Sequence, residues 1–97
     1  MPAYLSIDLS PEDHDAIRTY EAQMPPILQK YNATVIARDE NALTPEGDRD
    51  PHIAVIIRFD DKEAFTRFYE SPEYAPLREY RWANARTSAI VIDGIEE

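Results

Sequence analysis

Between Ala3 and Leu9 the chain alternates with a period of two: Ala3, Leu5, Ile7 and Leu9 fall on one side, Tyr4, Ser6 and Asp8 on the other. That period predicts a β-strand with one apolar face. The spacing then changes. Ile17, Tyr20, Met24, Ile27, Leu28 and Tyr31 recur at helical intervals and predict one buried stripe. Ahead of them, Ser10 is positioned to cap orphan N–H groups, Pro11 to take the first helical position, and Asp13 to complete a capping-box-like pattern. Pro25 and Pro26 remove two N–H donors inside the stripe, which predicts a kink or a split into two helices. Asn32 suits a left-handed stop. Residues 33–39 read as a second strand, and 40–51, with Pro45, Gly47 and Pro51, as a loop or ragged hairpin connection. Residues 52–59 are apolar on both faces for most of their length, which marks a central strand. Asp60 or Asp61 caps a second helix with Ala64, Phe65, Phe68 and Tyr69 as its buried stripe. Ser71-Pro72 restarts a helix, Ser71 as cap, with Tyr74, Leu77, Arg78 and Arg81 along one side. Residues 86–93, centred on Ala89-Ile90-Val91-Ile92, read as the last strand.

The predicted order is β-α-β-β-α-β, the second helix carrying a short extension. Two β-α-β halves with right-handed crossovers make an α+β domain: a four-stranded antiparallel sheet with the helices on one face. In this ferredoxin-like arrangement the first and third strands are central. The other face keeps Ile36, Ala54, Ile56 and one side of the last strand, interleaved with Tyr4, Ser6, Arg38 and Arg58. Apolar surface left in water costs about 25 cal/mol per Å². The simplest cover is the same face of a second copy across a two-fold axis, so a homodimer is expected.

Composition narrows the function classes. A chain of 97 residues suits one domain, residues 1–97, with a modest core. It has no cysteine, which excludes disulfides and thiolate metal sites and fits a reducing compartment. Nineteen acidic residues against ten basic ones give a net charge of −9, a field that repels nucleic acid. The longest apolar run, Ile53 to Ile57, has five residues, far short of the roughly 20 of a membrane span. Met1-Pro2-Ala3-Tyr4 carries neither basic residue nor long apolar stretch, so no export signal and a cytoplasmic location are expected.

Several pieces of the chain recur together elsewhere: the early strand, Tyr20 followed by Pro25-Pro26-Ile27, the Glu46-Gly47-Asp48 turn, Phe59 closing the third strand, and Ser71-Pro72-Glu73-Tyr74 leading to Arg81. On these the chain resembles a family of bacterial proteins catalogued as domain of unknown function thirteen-thirty, in the dimeric α/β-barrel superfamily. The resemblance covers nearly the whole chain. It implies a dimer whose two sheets face each other in a barrel. It implies no reaction, since the wider superfamily spans cofactor-free monooxygenases, isomerases, haem proteins and proteins without established chemistry. Two departures stand out. Asn32-Ala33 replaces paired glycines, a change Asn accommodates in a left-handed turn. Arg58 stands where relatives often carry an acid, which reverses a charge.

The chain has no glycine-rich phosphate loop, no His-Glu-x-x-His string and no nucleophile elbow. No cofactor and no metal are expected. His14 and His52 read as surface residues, with a role as base or ligand as the alternative. Arg81 carries more weight, because a guanidinium on the inner side of a helix needs partners. One reading is capture of a carboxylate or enolate in a pocket between helices and sheet. The other is an internal bridge to Glu73, Asp8 or a backbone carbonyl. Tyr20, Tyr69 and Tyr74 are expected near Arg81, either as core phenols with their hydroxyls at the rim or as groups that orient a substrate. Trp82 reads as lid, dimer contact or plain packing, and Ser71 as a cap. Two functions remain open: a small-molecule enzyme of cofactor-free oxygenase or isomerase type acting on an anionic metabolite, with Tyr20, Tyr69, Tyr74 and Arg81 lining its pocket and a tyrosine or His52 moving a proton; or a non-catalytic dimeric ligand-binding or accessory module.

Overall fold

The computed structural model describes residues 1–95. Four strands and three helices follow in the order β1 (Ala3–Pro11), α1 (His14–Lys30), β2 (Thr34–Asp39), β3 (Ile53–Phe59), α2 (Lys62–Tyr69), α3 (Ala75–Asn84) and β4 (Ala85–Asp93). The sheet order is β2-β3-β1-β4, all neighbours antiparallel, so the first and third strands are central as the pattern predicts. Leu5, Ile7 and Leu9 of β1 and Ile53, Val55 and Ile57 of β3 are buried beneath the helices with Ile17, Tyr20, Met24, Leu28 and Phe68. Their neighbours on the opposite face stay partly open. This is the ferredoxin-like fold. No helix among the described residues is long and apolar enough to cross a membrane.

The caps follow local chemistry with some shifts. Ser10 and Pro11 do not open α1. They extend β1, because β4 is long enough to pair with them through Ser10↔Arg86 and Pro11↔Ala85. Asp13 takes the cap instead, its carboxylate accepting from Ala16 N at 3.0 Å. Pro25 and Pro26 do not split α1, which runs on for 17 residues. Met24 and Leu28, buried on either side of the prolines, hold both segments to one core. Asn32 adopts φ 55° and supplies the left-handed turn that glycine would otherwise provide. Asp61, not Asp60, caps α2 by accepting from Ala64 N at 2.7 Å. Ser71 closes the turn before α3: its hydroxyl donates to Phe68 O at 2.7 Å and accepts from Tyr74 N at 3.2 Å.

One strand departs in a way that matters for the site. β2 pairs Val35 with Ile57 but Ala37 with Ile56, so Ile36 is an extra residue in a β-bulge. A one-residue slip reverses the facing of all that follows. Arg38, expected on the open face, therefore pairs with Val55 and turns to the helix side, where α1 carries Glu21. The open face retains Ile90 and Ile92, 59% and 51% exposed, beside partly open Tyr4, Ala54 and Ile56. Arg49 folds from the β2–β3 loop onto Asp8 of this face, with Nη2···Oδ1 at 2.6 Å.

Candidate functional site

Between the helices and the sheet lies a cavity of about 680 Å³. Its floor is aliphatic, from β1, β3 and β4; its roof comes from α1, α2 and α3. Tyr20, Tyr69, Tyr74 and Arg81, the four residues singled out from the sequence, all line it. Their convergence has local causes. Tyr20 sits on the buried stripe of α1. Tyr69 ends α2 stacked on Phe65 at 5.3 Å, and Tyr74 stacks on Phe68 at 4.4 Å. Arg81 follows on α3, two turns after Tyr74, and points under the helix layer. The phenols of Tyr20 and Tyr74 meet in a buried hydrogen bond of 2.6 Å.

Arg81 is only 3% exposed. Its Nη1 donates to Thr87 Oγ1 of β4 at 2.8 Å, and its Nε is buried with no hydrogen-bond partner. No carboxylate among the described residues lies within ion-pair distance of it. The partners considered from sequence are engaged elsewhere. Glu73 binds Lys30 and the Tyr31 hydroxyl, and Asp8 binds Arg49. Burial works against the charge of Arg81, but the neighbouring Tyr74 and Tyr20 outweigh it, and its pKa moves up. Burial, followed by the charge and hydrogen bond of Tyr74, raises the Tyr20 pKa far above the phenol range, while Arg81 acts in the opposite direction. Tyr20 is thus a neutral hydroxyl beside a fixed cation.

The outer lining differs. Glu21, Arg38, Val35 and Trp82 also face the cavity, and Val35 and Trp82 are about half exposed, so they form its rim. Trp82 and Tyr69 flank the guanidinium of Arg78, at 5.3 and 5.0 Å from their ring centres. Arg38 is held by Glu21 through two hydrogen bonds of 2.9 and 3.0 Å and by Glu40 at 2.7 Å. His52 does not reach this cavity. With His14 it lines a separate pocket of about 210 Å³ that shares Glu21 and Arg38 with the larger one. No three His, Asp or Glu residues among those described are grouped to hold a metal ion. Sequence reasoning misses Thr87 and the inward turn of Arg38: a threonine on a strand carries no local signal, and a bulge hides the facing of the arginine.

Many solved structures share this architecture, among them the following three. A protein of unknown function from Rhodopseudomonas palustris matches with a TM-score of 0.83 at 15% identity, over 99% of this chain and 84% of that one. A dimeric ferredoxin-like protein of unknown function from Jannaschia sp. CCS1 matches with a TM-score of 0.79 at 17% identity, over 97% and 100%. SnoaB, a cofactor-independent oxygenase from Streptomyces nogalater, matches with a TM-score of 0.68 at 14% identity, over 99% and 95%. At such identities the likeness is one of fold. No curated protein sequence matches the chain. The family model described as "Domain of unknown function (DUF1330)" matches residues 2–95, end to end across the fold and the cavity, and to that family the chain belongs.

Proposed function

We propose that the cavity binds a small, largely apolar organic anion, with Arg81 holding the anionic oxygen and the Tyr20–Tyr74 pair beside it. One observation carries this reading: a buried guanidinium faces a large apolar cavity with no carboxylate partner among the described residues. A charge so placed is costly unless something pairs with it. The cavity's volume falls within the roughly 300–1,000 Å³ of small-molecule sites. As an enzyme, the protein is of cofactor-free oxygenase or isomerase type, with Arg81 stabilising an enolate and a Tyr20 or Tyr74 hydroxyl orienting it. As a non-catalytic binding or accessory module, it uses the same site without turnover. The phenols favour the second: a neutral, upshifted Tyr20 is a hydrogen-bond donor and a poor base.

The working unit in this proposal is a homodimer closed through the open sheet face, where Ile36, Ile90 and Ile92 are exposed. The Jannaschia neighbour, described as dimeric, supports it. Sedimentation at micromolar concentration tests the assembly, and a stable lone protomer refutes it. A thermal-shift screen of organic acids against the parent chain and Arg81→Ala tests the site. The proposal requires hits that stabilise the parent and leave the variant unmoved. Oxygen uptake and proton exchange with those hits then separate enzyme from binding module.

A further inference from the structure

The Arg81 site, if it binds an anion as proposed above, constrains how that anion arrives. The chain carries a net charge of −9, so its long-range field opposes the approach of any molecule already negative. Arg38, the other cation on the cavity wall, is neutralised by Glu21 and Glu40 and offers no compensating attraction. Past the rim, the walls are Leu5, Ile7, Val55, Ile57, Phe65 and Phe68. Carrying an ionised group across such a surface strips its hydration before Arg81 is reached. A neutral molecule meets neither obstacle. Yet Arg81 rewards a negative oxygen once that oxygen is beside it.

Among the described residues, the cavity also holds no group suited to take and keep a proton. No histidine lines it, Glu21 is committed to Arg38, and Tyr20 and Tyr74 share one hydrogen bond at 2.6 Å. The hydroxyl pair has two hydrogens and needs one for that bond, which leaves one O–H able to donate to a ligand oxygen. Arg81 and this hydroxyl together favour an oxyanion.

We infer that the ligand is a weak organic acid, a phenol or an enol, which enters neutral and is held beside Arg81 as its conjugate base. The step is a simple ionisation. The ligand's O–H bond breaks, its electron pair stays on the oxygen facing Arg81 and the phenol pair, and the proton leaves to water. Nothing is oxidised or reduced. By thermodynamic linkage, the anion binds more tightly than the neutral form by the same factor that the bound ligand's ionisation constant rises. A downward shift of one pH unit is a tenfold preference.

A chromogenic nitronaphthol reads this directly, because its neutral and ionised forms absorb at different wavelengths. The full chain is titrated with it one pH unit below the point where the free naphthol is half ionised. The nitronaphthoate of the same ring system serves as the permanent-anion control. The expected result is a bound naphtholate spectrum, an ionisation midpoint lowered by a unit or more, and association of the naphthoate at least tenfold slower than that of the naphthol in stopped-flow mixing at that pH. Arg81→Met abolishes the shift, and Arg81→Lys, which keeps a cation, retains a downward one. Should the methionine variant not fold, the parent spectrum and the lysine variant still decide. A bound naphthol that keeps its neutral spectrum, or a naphthoate that associates as fast or faster, overturns this inference and leaves the anion site intact. Failure of both probes to bind overturns the anion site with it.

Discussion

The two edges of the sheet each bring an arginine to one cavity and treat it in opposite ways. On the β2 edge, Arg38 is partly exposed and gripped by two carboxylates, Glu21 of α1 and Glu40 just past the strand. Near the β4 edge, Arg81 is buried and has a threonine hydroxyl as its hydrogen-bond partner. Water already solvates Arg38 in part, so its ion pairs stabilise the fold little. Arg81 has lost its water and gained no counter-charge among the described residues. One edge uses its charge within the fold, and the other leaves its charge available. Of these two arginines, one finds its acids within the chain and the other, among the described residues, does not.

Replacing Arg81 with methionine attacks the contrast at its strongest point. An apolar side chain of similar length removes the buried charge without opening a hole. Binding of the anionic probe should weaken by about 2–5 kcal/mol, the usual cost of losing one partner of a desolvated ionic contact. Stability without ligand should hold or rise, as it does when buried charge is exchanged for packed hydrocarbon. If Arg81 is instead a strut between α3 and β4, the same substitution lowers the melting temperature by several degrees and leaves any binding unaffected. Calorimetry of binding and thermal melts on one pair of proteins separate the two.

The phenol pair gives the next largest effect. Tyr20→Phe leaves the buried Tyr74 hydroxyl without its partner, which costs about 1–3 kcal/mol. For a domain of this size each kcal/mol moves the melting temperature by about 4–8 °C. Tyr20→Phe combined with Tyr74→Phe should cost less than the two changes summed, since the second removes the orphan created by the first. The pair also sets an alkaline limit. Tyr20 resists ionisation in the fold, so above its ordinary value of 10.0 the unfolded chain loses a proton the folded chain keeps. Stability then falls as pH rises. Tyr20→Phe should flatten that decline relative to the parent in melts above pH 10, and an equally steep decline refutes the assignment.

Part of this contrast is legible in the amino-acid sequence. Period two in Ala3–Leu9, the run at Ile53–Ile57 and the stripes of α1 and α2 define the sheet and the layer above it. Tyr20 lies on the inward face of α1 and Arg81 on that of α3, with Tyr74 at the cap position before α3, so their meeting follows from spacing. The cavity itself is not legible: Met24 and Leu28 look the same in sequence whether they pack on a strand or arch over a void. Nor is the fate of Arg38. Val35, Ile36 and Ala37 are all ordinary strand residues, and nothing in their order announces the extra residue that turns Arg38 inward. The continuity of α1 through Pro25 and Pro26 is decided by the core beneath it, which outweighs the local penalty.

The gentlest probe acts at the other edge. Arg38→Met removes the paired cation while keeping the stem that lies along the cavity rim. Its ion pairs are partly exposed, so stability should fall by less than about 1 kcal/mol, and by less still in high salt. The change also frees Glu21, which lines both the large cavity and the small pocket of His14 and His52. An unpaired carboxylate on the wall adds repulsion for an anion. Binding should therefore weaken by a factor of a few, with salt restoring it. The double variant Arg38→Met with Glu21→Gln should recover nearly all of the parent's affinity, because it deletes both charges together. If Arg38→Met instead abolishes binding as completely as Arg81→Met, and the double variant fails to restore it, Arg38 takes part in holding the ligand. The two edges would then be equivalent, and the rule that separates a self-paired arginine from a ligand-directed one would fail for this molecule.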